Sequence, residues 1–279
     1  VAFVSGLSLG GGGVSAHDDA FERFVRFVSD SAPDLHLLIV CGGAIQCASR
    51  GGAAGVGRDM LAAADEGLAR LAAIVPVRVL PGDGEPTNLT LPQLPLHPSL
   101  LPRARRAPGA AFRCVGNPYA GEVDGVRILG HSGQPVRDLL RCARLGSPAD
   151  ALAACMHARH LAPTAPDTLP ARPFHGRDPL VIADTPHLLF SGGHDEASWR
   201  WRPAAEGHGG AVGGTLCLCV PAFATRPAAV LVNLRDCRDV RVREFGAEGQ
   251  ATAGLPAGEA PEATGARTDP AAAPAGVPA

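Results

Sequence analysis

Short apolar runs alternate with amphipathic stretches through the first third of the chain. Val1–Val4 reads as a buried strand that stops at Ser5-Gly6 and leads to a glycine loop, Gly10–Gly13. Phe21, Phe24, Val25 and Val28 then recur at the i, i+3, i+4, i+7 spacing that lines one face of a helix, here from about His17 to Ser29. Leu35–Cys41 is a second buried strand, closed by Gly42-Gly43. A Gly/Ala stretch, Gly51–Gly57, precedes a helix from Arg58 to Ile74 whose apolar positions are Met60, Leu61, Ala64, Leu68 and Leu71. Val77–Leu80 makes a third strand. This strand–helix–strand–helix–strand order predicts an α/β fold with parallel pairing, in which ligands sit at the carboxyl ends of the strands.

The second half carries a different rhythm. Phe112–Val115, Val126–Leu129, Leu180–Ile182, His187–Phe190, Thr215–Val220 and Ala229–Asn233 read as short strands, with helices at Val136–Arg144 and Pro148–Arg159. An antiparallel-rich sheet packed on the first is expected. From about Gly246 onward the residues are mostly Ala, Pro, Gly and Glu. Residues 1–246 are therefore read as one folded domain and 247–279 as a disordered tail.

Composition narrows the function classes. With 46% hydrophobic and 19% charged residues the 279-residue chain is globular in character. A formal net charge of −2 argues against holding duplex DNA unaided, because that requires Lys and Arg to neutralise several phosphates. The eight cysteines form no CxxC pair, and several sit in apolar runs, where a thiol behaves as a small hydrophobe. No apolar run reaches the roughly 18 residues of a membrane-spanning helix. The chain begins with Val on a strand, so it reads as a piece whose N-terminus lies upstream.

The candidate chemistry lies after the third strand, in Gly82-Asp83-Gly84-Glu85. Gly10–Gly13 is not followed by Lys-Ser or Lys-Thr, which rules out a P-loop, and no GxSxG elbow is present. Binuclear metallophosphoesterases place His and carboxylate ligands after successive strands, so that two metals activate water and clamp the phosphoryl oxygens. Here the first strand ends in Ser5–Ser8 and the second in Gly42–Gln46, both without ligands. The third keeps Asp83 and Glu85, Gly193-His194 keeps one histidine, and His160 stands for an isolated one. The acid that would bridge two metals is missing from the second strand end. Asp83, Glu85, His160 and His194 are therefore the remnants of a pocket. Asp83 and Glu85 are expected to serve a structured turn, with no catalytic residue, bound metal or cofactor.

Several longer motifs point the same way. Val4–Leu7, Pro81–Asn88, Leu91–Pro98, Asn117–Tyr119, Asp124–Arg127, Ser132–Gln134, Arg159–Leu169 and Leu231–Leu234 together resemble the B-subunit family of the replicative DNA polymerases alpha, delta and epsilon, and within it the delta branch. The resemblance spans nearly all of residues 1–246. It implies a calcineurin-like metallophosphoesterase fold, four layers in the order α-β-β-α with two packed mixed sheets, catalytically inactivated and reused as a scaffold. It also implies a nuclear protein of DNA replication that binds the C-terminal cysteine-rich domain of the polymerase delta catalytic subunit and tethers a third regulatory subunit. DNA would be met only indirectly, through the complex, and no membrane is involved. An oligonucleotide-binding domain that precedes this one in the family is mostly missing here. The competing reading is a metal-dependent phosphodiesterase or 3′–5′ exonuclease.

Overall fold

The computed structural model describes residues 1–10, 15–45, 57–109, 111–204, 213–246 and 252–253. Three parallel strands open the chain: β1 (Ala2–Val4), β2 (Leu38–Cys41) and β3 (Val77–Leu80), joined through helices α1 (Ser15–Asp30) and α2 (Arg58–Ala72). A short helix, α3 (Pro102–Arg106), leads to β4 (Phe112–Cys114), which lies parallel to β3. The chain then builds β5 (Tyr119–Val123), β6 (Val126–His131), α4 (Gln134–Cys142), α5 (Pro148–Ala158), β7 (Leu188–His194), β8 (Ser198–Pro203) and β9 (Gly214–Pro221). It returns to the first sheet with β10 (Ala228–Val232), β11 (Val240–Glu244) and β12 (Thr252–Ala253).

Two mixed sheets result. The seven-stranded sheet has the order β12-β11-β10-β1-β2-β3-β4 and the five-stranded sheet the order β5-β6-β7-β9-β8. The second is not antiparallel-rich as expected: β6–β7 and β7–β9 are parallel, and only the flanking pairs β5–β6 and β8–β9 run antiparallel. A long crossover carrying α4 and α5 separates β6 from β7, which is the connection that parallel neighbours require.

The apolar side chains explain why these elements stack. Along β1 and β2, Ala2, Val4, Leu38 and Val40 turn to one face with Phe21, Phe24, Leu68 and Leu71 of the helices. Phe3, Ile39 and Cys41 turn to the other face and meet Leu188, Phe190, Leu216 and Leu218 of the second sheet. The Phe3 and Phe190 rings, 5.3 Å apart, join the two sheets directly. Leu189, Cys217 and Cys219 emerge on the far side against Leu152 and Cys155 of α5. Strands buried on both faces read as continuous apolar runs, as β1, β2 and β9 do. Each fully buried Phe or Leu contributes about 1.5–3 kcal/mol from burial.

Some boundaries differ from expectation. Leu180–Ile182 is not a strand; Val181 forms a single bridge with His160, and Leu180 and Ile182 are buried against α4 and α5. Strands β5, β8 and β11 were not expected. The tail lies outside the described residues except for Thr252–Ala253, which pair with β11. Among the described residues no helix is long and apolar enough to cross a membrane, and seven cysteines are free thiols.

Candidate functional site

The carboxyl ends of β1, β2 and β3 meet those of β6 and β7, so the loops at Ser5–Leu9, Gly42–Ile45, Pro81–Gln93, His131–Gln134 and Ser191–His194 converge. They touch at backbone distance. A Cβ on Gly42 would stand 2.3 Å from Ser132 Cβ, one on Gly82 2.5 Å from the Gly43 nitrogen, and one on Gly192 2.2 Å from the Cys41 carbonyl oxygen. The Ser5 hydroxyl donates to the Cys41 carbonyl at 2.9 Å.

Glu85 sits at the centre of this closure and is only 2% exposed. Its Oε2 accepts from the N–H of Gly82 at 2.5 Å and of Gly43 at 2.9 Å, and its Oε1 accepts from the N–H of Ile45 at 2.9 Å. One carboxylate thus satisfies backbone donors of its own turn and of the loop after β2. Burial pushes the Glu85 carboxyl above its ordinary range, partly offset by backbone N–H groups including Ile45, Gly82 and Gly43.

A network of neutral amides lies beside it. Asn117 Nδ2 lies 2.8 Å from Gln93 Oε1 and 2.7 Å from Ser132 Oγ. Gln134 Nε2 donates to Gln93 Oε1 at 3.0 Å, and Gln93 Nε2 donates to the Gly82 carbonyl at 3.1 Å. Asn117, Gln93 and Ser132 are all buried. These groups join the loop after β3, the turn before β5 and the start of α4 into one hydrogen-bonded unit.

Two histidines complete the cluster. His131 Nδ1 accepts from the Gly133 N–H at 3.1 Å, while its buried Nε2 has no hydrogen-bond partner. His194 Nε2 lies 2.7 Å from Ser191 Oγ. Burial, the nearby His194 and the Arg137 guanidinium lower His131 to about 3. Burial and Arg137 lower His194 to about 4, against a smaller opposing pull from Asp195. Both rings are neutral at physiological pH.

The four expected pocket residues are not gathered around one point. Asp83 turns toward Arg137 of α4, 3.6 Å away, and Glu85 is occupied by backbone donors. His194 bonds Ser191. His160 lies apart from these three: its Nδ1 accepts from the Ala162 N–H and its Nε2 is 3.7 Å from Asp178. Asp178 lines a groove beside β5 and β6 together with Ile128, Val181 and Ile182. Among the described residues no group of three His, Cys, Asp or Glu side chains can hold a metal ion. Among the described residues, Asp83, Glu85, His160 and His194 as placed do not fit a two-metal centre. Sequence reasoning missed His131, although an apolar strand ending in Gly-His was its signal. It also missed Gln93, Asn117, Ser132 and Gln134 as a hydrogen-bonded unit, although three of the motifs quoted above contain them.

Comparison with known proteins follows the same elements. The family of the DNA polymerase alpha/epsilon B-subunit matches residues 1–198. The chain is similar to the DNA polymerase delta subunit 2 of Drosophila melanogaster, 36% identical over 186 residues that cover 67% of this chain and 41% of that protein. It is 39% identical to the DNA polymerase delta small subunit of Arabidopsis thaliana over 169 residues, covering 61% of this chain and 37% of that protein. The Saccharomyces cerevisiae protein of the same description is 26% identical over 144 residues, 42% of this chain and 30% of that one. The chain therefore spans about two fifths of the length of the first two relatives.

Proposed function

The chain belongs to the DNA polymerase alpha/epsilon B-subunit family, and from that premise we propose that it is a non-catalytic accessory subunit of DNA polymerase delta. In this reading it bridges the C-terminal cysteine-rich domain of the catalytic subunit and the third regulatory subunit during DNA replication in the nucleus. It meets DNA only through the complex. Its two sheets and flanking helices are a calcineurin-like metallophosphoesterase arrangement, four layers in the order α-β-β-α, whose catalytic centre has been replaced by a structural lock.

The observation that carries the reading is the engagement of Glu85. An acid at the end of β3, where a phosphoesterase would coordinate metal, accepts instead from Gly43, Ile45 and Gly82. A carboxylate saturated by backbone donors gains nothing from a cation that would have to displace them. A scaffold needs loops fixed in one conformation, because a preordered surface loses less entropy on docking.

The competing reading is a metal-dependent phosphodiesterase or 3′–5′ exonuclease using Asp83 and His194. Purified protein supplied with Mn2+ and a chromogenic phosphodiester separates the two. No turnover above the protein-free rate is expected, with Asp83→Ala and His194→Ala identical to wild type. Turnover that disappears in both variants overturns the non-catalytic assignment.

A further inference from the structure

The seven-stranded sheet ends at β4, and no other described strand pairs with its outer side. The Ala111 carbonyl accepts from the Val77 N–H, and the Val115 N–H donates to the Val79 carbonyl. By the two-residue alternation of a strand, Phe112 and Cys114 turn their own N–H and C=O groups outward. Such an edge is a template for another strand unless its charges forbid it.

The charges here are of one sign. From Pro86 to Gly121 the sequence holds four arginines and no Asp or Glu. Arg103 is paired with Glu66, but Arg105, Arg106 and Arg113 have no carboxylate partner among the described residues and all three are exposed. Arg113 lies directly beside Arg78 in the β3–β4 register. Like charges on adjoining strands repel, and among the described residues Arg78 donates to the carbonyls of Val77 and Ala111 and pairs with no carboxylate. On the opposite face, α3 packs against β4 and places Arg105 near Cys114, whose other charged neighbour, Glu85, is buried and held by backbone N–H groups. Positive charge therefore flanks both faces of an open strand.

We propose that the outer edge of β4 is a docking site for an extended acidic peptide segment of a partner protein, which adds to the sheet as an eighth strand. Backbone groups of Phe112 and Cys114 supply the ladder, and carboxylates on the two faces of the incoming strand meet Arg113 with Arg78 on one side and Arg105 on the other. A second copy of this chain is a poor occupant, since it would bring Arg113 against arginine. Nucleic acid is disfavoured as well, because it offers no strand to pair with Phe112 and Cys114. The inference rests on the sheet edge alone and does not depend on the polymerase assignment.

The test uses the full 279-residue chain and a short blocked peptide of valine and glutamate with glutamates on both faces. Its controls are a lysine-for-glutamate peptide, the acidic peptide N-methylated on the amides that would face β4, and a single-stranded oligonucleotide. Binding of the acidic peptide is expected, with slowed exchange of the Phe112 and Cys114 amides. Arg113→Glu and Arg105→Glu should each weaken it by about tenfold, ~1.4 kcal/mol, without changing the thermal midpoint. The Arg105→Glu/Arg113→Glu double variant should favour the lysine peptide. Equal binding of the N-methylated peptide, indifference to Arg113→Glu, or preference for the oligonucleotide overturns the proposal. So does self-association of the arginine variants without peptide binding by wild type, which would mean that the arginines only keep the edge from pairing with itself.

Discussion

The Gly43 N–H donates to Glu85 Oε2 at 2.9 Å, and that bond joins the turn after β3 to the loop after β2. The same carboxylate reaches Ile45 and Gly82. Glu85→Ala leaves three backbone donors without their acceptor in a closed site. A loss of about 2–5 kcal/mol is expected, read as a lowered urea midpoint. Glu85→Gln keeps the volume but has a single acceptor oxygen, so it should fall between wild type and alanine.

The convergence of the loops depends on residues without side chains. Gly42 has φ +84° and no room for a Cβ, which would come 2.3 Å from that of Ser132. Gly42→Ala combines backbone strain with a steric clash and should cost at least about 3 kcal/mol. Ser132→Gly in the same background removes the clashing atom and should restore part of the loss.

The histidines make stability depend on pH in a defined direction. His131 is lowered to about 3 and His194 to about 4, each from an ordinary 6.5. In the unfolded chain they take up protons near pH 6.5, whereas in the folded chain they resist. Their contribution is therefore fully present above that pH and is lost as pH falls toward about 4 and then about 3, at roughly 1.4 kcal/mol per pH unit for each ring. Urea unfolding at pH 7.5 and pH 5 should show the difference, and His131→Gln should flatten it.

Asp65 of α2 supplies the start of α3. Its two oxygens accept from the N–H groups of Arg103 and Ala104, each at 2.9 Å. Asp65→Ala removes this cap and should cost about 1–3 kcal/mol, with faster amide exchange through Arg103–Arg106. Because α3 rests on β4, the edge proposed for docking should loosen with it.

Strands β1, β2, β3 and β10 of the first sheet were legible because they are buried along nearly their whole length, and α1 and α2 because they carry apolar periodicity. The strands that escaped are edges or lie near one. In β5, Tyr119-Ala-Gly-Glu-Val123 offers a small residue and a glycine where a strand signal needs bulk. In β8, Ser198-Trp-Arg-Trp-Arg202 has clear alternation that the surrounding Gly and Arg content masks. In β11, Val240 and Val242 alternate with Arg241 and Arg243, a period-two pattern too short to stand out beside the polar turn before it. Leu180–Ile182 shows the reverse error, an apolar triplet that buries Leu180 and Ile182 but leaves Val181 exposed and forms only the single bridge to His160. At the site, the residue types of Asp83, Glu85 and His194 were readable as pocket candidates. The engagement of Glu85 by the β2 loop was not, because backbone N–H direction leaves no mark in side-chain sequence. His160 shares only a residue type with the others, and its position beside Asp178 follows from the α5 exit, where Arg159 takes a left-handed conformation.

Co-expression of the full-length protein with the tagged C-terminal cysteine-rich domain of the polymerase delta catalytic subunit tests the accessory-subunit assignment most directly. Stable one-to-one co-purification is expected, and it should be reduced by Glu85→Ala through loss of the loop arrangement while surviving Asp83→Ala and His194→Ala. Failure of the folded wild-type protein to be retained by that domain contradicts the assignment.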